Sequence, residues 1–158
     1  MIGAVGSPAK AVHARSFGCD EVILYGQDDV AARVREITGG AGVDVAYDSV
    51  GKDTFEATLA SLARRGLFVS FGNASGAVPA FEPLRLTAAG SLFFTRPTLA
   101  DYVATNRELD DSAGALFAML ERGRLRIEIG QTFPLAEARR AHEALEGRRT
   151  LGASLLIP

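Results

Sequence analysis

The 158-residue chain holds one cysteine, two histidines and no tryptophan. A lone Cys19 can close no internal disulfide, which suits a reducing cytoplasm. With only two histidines beside it, the chain also has too few soft ligands for a structural zinc site. A basic excess is missing as well: 17 Lys and Arg stand against 19 Asp and Glu, for a net charge of −2. Nucleic acid normally demands a basic surface, so no nucleic-acid partner is expected. The pairs Arg64-Arg65, Arg139-Arg140 and Arg148-Arg149 read as solvated helix faces and ends. No apolar run approaches the ~20 residues that span a bilayer, so no membrane association is expected. No basic stretch followed by an apolar core opens the chain, so no secretory signal is read and a cytoplasmic location follows. Internal repeats, low-complexity tracts and charge blocks are absent too.

What is present is ordinary globular composition, 47% hydrophobic and 23% charged, in a length near that of one domain. Short apolar segments alternate with amphipathic ones. Residues 1–5 read as a strand ending at Gly6. Ser7 then caps a helix with Pro8 at its first position, running to about residue 17 and stopping at Gly18. Residues 21–25 form the next strand, and 28–37 a helix closed by Gly39-Gly40. A third strand (43–49) leads to a helix at 54–63, a fourth (67–71) to the small-residue loop 72–76, and a fifth spans 91–95. After Arg96-Pro97 the pattern changes to two helices, 111–122 and 135–145, around a short strand at 126–129. A last apolar strand occupies 153–157. Alternation of this kind specifies α/β architecture: a Rossmann-like doubly wound parallel sheet with a C-terminal helical extension and final strand.

In such sheets ligands bind beyond the carboxyl ends of the strands. The loops there are residues 3–10, Tyr25, 48–51, 71–76 and 95–97, and three of them are rich in Gly, Ser, Asn or Ala. Turn residues serve any strand-to-helix loop; their convergence at one sheet edge argues for a flat or phosphorylated ligand. The stretch Gly3-Ala4-Val5-Gly6-Ser7 lacks the third glycine of a dinucleotide fingerprint, and Pro8 follows. It fits better as the second strand of a dinucleotide fold, whose end normally carries an Asp or Glu for the ribose 2′-hydroxyl of NAD. No carboxylate stands at residues 4–7. A hydroxyl at Ser7, the helix N–H groups and Lys10 one turn on suit a 2′-phosphate instead, and hence NADP(H). Lys10 alone reads equally well as a solvated helix lysine. Asp48 and Ser49 are expected at the cleft, with no histidine to pair them, since His13 and His142 both fall in helices. The Asp20-Glu21 and Asp28-Asp29 pairs read as turn and capping residues.

Four stretches, GAVGSPAKA, ITGGAGVDVAYDSVGKDTFEATLASLARRGLFVSFGNASGAV, GSLFFTRPTLADY and RAHEALEGRRTLGASLLIP, resemble the NADPH-dependent quinone oxidoreductases. These form the zeta-crystallin-like branch of the zinc-free medium-chain dehydrogenase/reductases. The resemblance covers essentially the whole chain, and DSVG, SFGNASG and FTRP in that order are specific together. It implies that Gly3, Ser7 and Lys10 face the adenosine ribose and its 2′-phosphate, with Tyr25 beside the adenine. Ser49 would approach the ribose, Phe71, Gly72 and Asn73 would line the nicotinamide half with Phe94, Thr95 and Arg96, and Arg148 would reach the 2′-phosphate. No catalytic acid or base and no metal ligand is implied.

The resemblance further implies a longer parent protein. An N-terminal substrate domain and the first cofactor-domain strand, with its glycine-rich turn, would precede residue 1. Residues 1–125 are then a dinucleotide-binding domain lacking that strand, and 126–158 a segment returning to the substrate domain. In the order 3-2-1-4-5-6 the absent strand is central, which would leave two edges unpaired. Either those edges pair directly or another chain supplies the partner. Residues 91–95 would pair across a dimer, so a homo-oligomer is expected. The functional expectation is hydride transfer from NADPH to a quinone or related enone. The alternative is a non-catalytic NADPH-binding or self-associating module.

Overall fold

Ser7 and Pro8 start the first helix as their chemistry dictates. Ser7 holds an extended backbone (φ −155°) and its hydroxyl oxygen accepts the Lys10 N–H at 3.3 Å, while Pro8 occupies the first turn, where no N–H is needed. The computed structural model describes residues 1–147 and 149–158, which divide into two compact units, Met1–Asp101 and Tyr102–Pro158.

In the first unit, β1 (Ile2–Val5), α1 (Pro8–Ser16) and β2 (Glu21–Leu24) form one strand–helix–strand turn, and β1 and β2 pair in parallel. Helix α2 (Val30–Ile37) follows, capped by Asp29 rather than opening at residue 28. Asp28 instead accepts the Leu24 N–H at 2.9 Å. Then come β3 (Val43–Asp48), α3 (Phe55–Ser61), β4 (Leu62–Ser70), α4 (Leu84–Ala88), β5 (Phe93–Thr95) and the single turn α5 (Leu99–Tyr102). Strands β3, β4 and β5 make a second parallel sheet in that spatial order. All three expected strand–helix alternations are present, with α4 and the turn α5 as helical segments the sequence pattern did not reveal.

Two boundaries differ for physical reasons. Strand β4 begins at Leu62, directly after α3, because the chain turns through a left-handed residue, Arg65 (φ 63°), held by its N–H to the Gly90 carbonyl. Arg64 and Arg65 therefore lie on an irregular strand opening, not on a helix face. The strand expected at 91–95 starts only at Phe93, since Ser91 is itself left-handed (φ 57°).

One face of β3-β4-β5 carries the core. Phe55, Leu59, Leu62, Phe68 and Leu92 are buried together, with Phe81 and Phe94 packed against them. Phe68 and Phe94 are register partners across β4 and β5, with ring centroids 5.1 Å apart. Tilted and edge-on aromatic pairs of this kind add ~0.5–1.5 kcal/mol each to their buried area. Helix α4 is fastened over this core by Arg85, whose guanidinium forks onto Glu56 and lies 5.6 Å from the Phe55 ring.

The two sheets of this unit are not joined. β1-β2 and β3-β4-β5 are separate, so of the two outcomes foreseen for the gap, direct pairing of β1 with β3 does not occur among the described residues. Arg35 of α2 ties the neighbouring segments together instead. Its guanidinium donates to the carbonyls of Gly40 (3.0 Å), Ala41 (2.9 Å), Ala60 (3.0 Å) and Leu62 (2.7 Å).

In the second unit, α6 (Asn106–Glu121) opens five residues earlier than its apolar spacing suggests. Thr105 and Glu108 form a reciprocal capping box, which fixes the start. β6 (Ile129–Pro134) pairs in parallel with β7 (Ala153–Ile157). Between them a 3-10 turn at Leu135–Glu137 leads into α7 (Ala138–Glu146). The strand expected at 126–129 thus begins where that range ends.

Candidate functional site: the carboxyl ends of the parallel strands

Residues that follow β1 and β2 come together first. Tyr25 lies over Gly6 so closely that a Cβ on Gly6 would stand 2.8 Å from the phenol oxygen. Ser7 caps α1 with its oxygen, leaving its O–H proton available to donate. Lys10 sits half-buried one turn on, with no carboxylate at ion-pair distance among the described residues. Pro8 has no N–H and the Lys10 N–H goes to Ser7, so the Ala9 N–H faces outward at the positive end of the helix. A hydroxyl, a backbone N–H and an ammonium are the donor set of a phosphate site. Gly3 has its own packing reason: a Cβ there would meet Cys19 Sγ at 2.9 Å.

After β3 the backbone makes a tight loop whose organiser is Asp48. This corrects the expectation that Asp48 lines the cleft. Its carboxylate is buried and turned inward, accepting the N–H groups of Val50 (2.8 Å) and Gly51 (3.0 Å) and the hydroxyls of Thr54 (2.7 Å) and Thr58 (2.8 Å). Burial pushes its pKa up, but these four hydrogen bonds outweigh burial and hold the carboxyl below its ordinary value. The spacing Asp48-x-x-Gly51-x-x-Thr54 was the available signal, an acceptor ahead of a turn and a helix start. Ser49 is left exposed by this arrangement.

The loop after β4 docks against that first loop through backbone. Ala74 N–H donates to the Ser49 carbonyl (3.2 Å), Ser75 N–H to that of Val50 (2.8 Å) and Lys52 N–H to that of Gly76 (3.1 Å). Gly72 is compulsory here, since a Cβ would stand 2.4 Å from the Ser49 carbonyl oxygen. Phe71 is exposed, edge-on to Tyr47 at 6.5 Å. Beyond β4 and β5 opens a depression of about 400 Å³ whose walls include Asn73, Val78, Pro79, Phe81, Phe94 and Arg96. Thr95 is half-buried beside it in sequence, and Phe94 belongs to both the core cluster and this wall. The wall from Ala77 to Phe81 escaped the sequence reading because it follows no strand.

Ten of the twelve residues implied by the resemblance lie at or just past the carboxyl ends of the parallel strands, in two groups on either side of the gap between β1 and β3, whereas Gly3 lies inside β1, in register with Val22. Arg148, the twelfth, lies outside the described residues. Among the described residues no group of three or more His, Cys, Asp and Glu side chains gathers to hold a metal ion. No helix among them is long and apolar enough to cross a membrane.

Parallel strands, crossover helices and polar loops at the strand carboxyl ends define the class: a Rossmann-like dinucleotide-binding domain. The chain belongs to the zinc-binding dehydrogenase family, whose profile matches residues 17–155. It is 52% identical over 158 residues to a quinone oxidoreductase of Pseudomonas aeruginosa, covering all of this chain and 49% of that protein. It is 44% identical to a 2-haloacrylate reductase of a Burkholderia species, again covering all of this chain and 48% of the relative. The crystal structure of Escherichia coli quinone oxidoreductase complexed with NADPH aligns with a TM-score of 0.95 at 48% identity, over 99% of this chain and 49% of that one. The chain spans about half the length of the curated relatives it matches.

Proposed function

We propose that this chain is the cofactor-holding half of an NADPH-dependent oxidoreductase that reduces a quinone or related enone. The observation that carries the reading is the amino end of α1, where Ser7, Ala9 and Lys10 fall within the cap and first turn and no carboxylate stands among residues 4–7. That donor set fits a 2′-phosphate and not the bare ribose hydroxyl of NAD, which such folds hold with an acid. NADPH, when bound, supplies the hydride.

The residues of this chain bind and orient. Tyr25 offers a ring beside the adenine, and Gly3 and Ser49 flank the ribose side. Gly72 lets the chain pass close to the loop after β3. Phe71, Asn73, Phe94, Thr95 and Arg96 border the nicotinamide end, where a flat electron-poor acceptor is expected to stack. Arg148 is read as a second cation for the 2′-phosphate. No side chain of this chain is assigned as an acid or base, so the rate derives from positioning two flat partners. The names of the relatives support the acceptor class: a quinone and a 2-haloacrylate both present a C=C bond conjugated to a carbonyl group. The chain is read with the zinc-free branch, a reading that its low count of soft ligands, one cysteine and two histidines, supports.

A second reading, a non-catalytic NADPH-binding or self-associating module, is favoured by the unjoined sheets. The outer edge of β5, with Phe93 exposed, is the edge proposed for pairing in a homodimer, and sedimentation tests it. The experiment that separates the readings follows NADPH absorbance in the presence of 1,4-benzoquinone. Protein-dependent consumption supports the enzyme. NADPH binding without consumption supports the module, and absence of both overturns the two together.

A further inference from the structure

The core face of the β3-β4-β5 sheet ends in a polar row. Phe68 and Phe94 are register partners across β4 and β5 and belong to the aromatic cluster. Side chains two residues further along each strand fall on the same face, which puts Ser70 and Arg96 where the cluster would otherwise continue. Both line the depression of about 400 Å³, together with Asn73, Phe81 and Phe94. Ser70 is 1% exposed, yet its hydroxyl makes no hydrogen bond among the described residues. Every fully enclosed polar side-chain atom among them has a partner, so the Ser70 oxygen opens onto the depression. Its register partner on β3, Asp48, is already engaged by four donors.

Arg96 has no acid beside it. Its guanidinium reaches only the Pro97 carbonyl, at 3.4 Å, and no carboxylate stands at ion-pair distance among the described residues. Asn73 spends its backbone carbonyl on the Gly76 N–H (3.0 Å), while its carboxamide makes no hydrogen bond among those residues. Three donor-bearing side chains thus border one hollow, and no Asp or Glu lines it. The other walls, Val78, Pro79, Phe81 and Phe94, are apolar, and the rings of Phe81 and Phe94 meet edge-on at 5.2 Å. A carboxylate matches the guanidinium fork and has lone pairs enough for all three donors. A phosphate dianion would meet one cation and lose water against apolar walls. A neutral carbonyl would leave donors unused.

We propose that this depression is a carboxylate site, and that the acceptor it selects is a flat conjugated acid bearing a ring. Arg96 holds the carboxylate, Ser70 and Asn73 donate to its remaining lone pairs, and the ring lies against Phe81 and Phe94. Arg96 is then the residue that separates acidic from neutral acceptors. The word acceptor rests on the oxidoreductase reading given above; the carboxylate site itself rests on Ser70, Asn73 and Arg96 alone.

The test titrates the 158-residue chain with trans-cinnamate, and separately with the neutral cinnamamide, following backbone amides by nuclear magnetic resonance without cofactor. The expected result is saturable binding of cinnamate, at least about tenfold tighter than cinnamamide, with shifts centred on Asn73, Phe81 and Arg96. Arg96→Gln should remove that preference, whereas Arg64→Gln at the opposite end of β4 should not. Ser70→Ala deletes a hydroxyl with no partner in the protein, so it should weaken cinnamate about threefold while leaving the urea midpoint unchanged. No saturable cinnamate binding up to about 10 mM, equal affinity for cinnamamide, or a preference that survives Arg96→Gln overturns the proposal. NADPH is then added to the cinnamate complex. Displacement of cinnamate from the same amides would give the depression to the cofactor and overturn the acceptor assignment. Cinnamate binding with no response to NADPH would leave the carboxylate site standing and sink the cofactor reading, so the two fail separately.

Discussion

Replacing Asp48 with alanine removes at once the acceptor for the N–H groups of Val50 and Gly51 and the hydroxyls of Thr54 and Thr58. The hydroxyls can turn elsewhere: Thr54 Oγ1 already lies 3.3 Å from the Gly51 carbonyl, and a helical threonine can bond the carbonyl four residues back. The two backbone N–H groups cannot, and each costs ~1–3 kcal/mol when left buried and unbonded. Asp48→Ala is therefore expected to lose ~3–4 kcal/mol of stability, and Asp48→Asn, which keeps one acceptor oxygen, ~1–2 kcal/mol. Urea unfolding followed by far-ultraviolet circular dichroism reads both. The pH dependence has a definite sign. The folded carboxyl titrates below its ordinary value, so its stabilisation is complete above the unfolded pKa of ~3.9 and is lost as pH falls through the lower folded value. The gap between the parent chain and Asp48→Asn should thus hold near pH 6 and shrink below about pH 4. A loss under ~0.5 kcal/mol for Asp48→Ala, or a gap independent of pH, would refute the role assigned to this carboxylate.

Other perturbations probe the neighbouring elements. Arg35→Ala strips four carbonyls of a shared charged donor and should cost ~2–3 kcal/mol in urea unfolding, with Arg35→Lys recovering little because a point ammonium cannot span the fork. Phe68→Ala empties the centre of the aromatic cluster and should cost ~3–5 kcal/mol by the same measurement. Gly72→Ala sets a Cβ against the Ser49 carbonyl; a loss of ~1–3 kcal/mol is expected, with weaker NADPH binding in a fluorescence titration because the two loops are forced apart.

How much was legible in the sequence follows from which signals are local. Ser7-Pro8 and Asp29 announce helices α1 and α2 because capping is decided by one residue and its neighbours. β7 was readable to its last residue because an apolar run bounded by Gly152 and Pro158 has nowhere else to begin or stop. The start of α6 was missed although Thr105-x-x-Glu108 spells a capping box, because the apolar periodicity on which the reading relied is weak in its first turn. α4 was missed because five residues after Pro83 give too short a period to detect. The inward turn of Asp48 depends on Thr54 and Thr58 reaching back from the next helix, so strand position alone suggested the cleft. The gap between β1 and β3 is a non-local fact: each strand is visible by itself, whereas its lateral partner is not.

The central claim is that the amino end of α1 selects a phosphorylated dinucleotide, and fluorescence titration of the chain with NADPH and, separately, NADH tests it most directly. Saturable binding of NADPH at least about tenfold tighter than NADH, with the preference lost in Lys10→Ala, is the predicted result. Equal affinity for the two, or binding of neither, would contradict it.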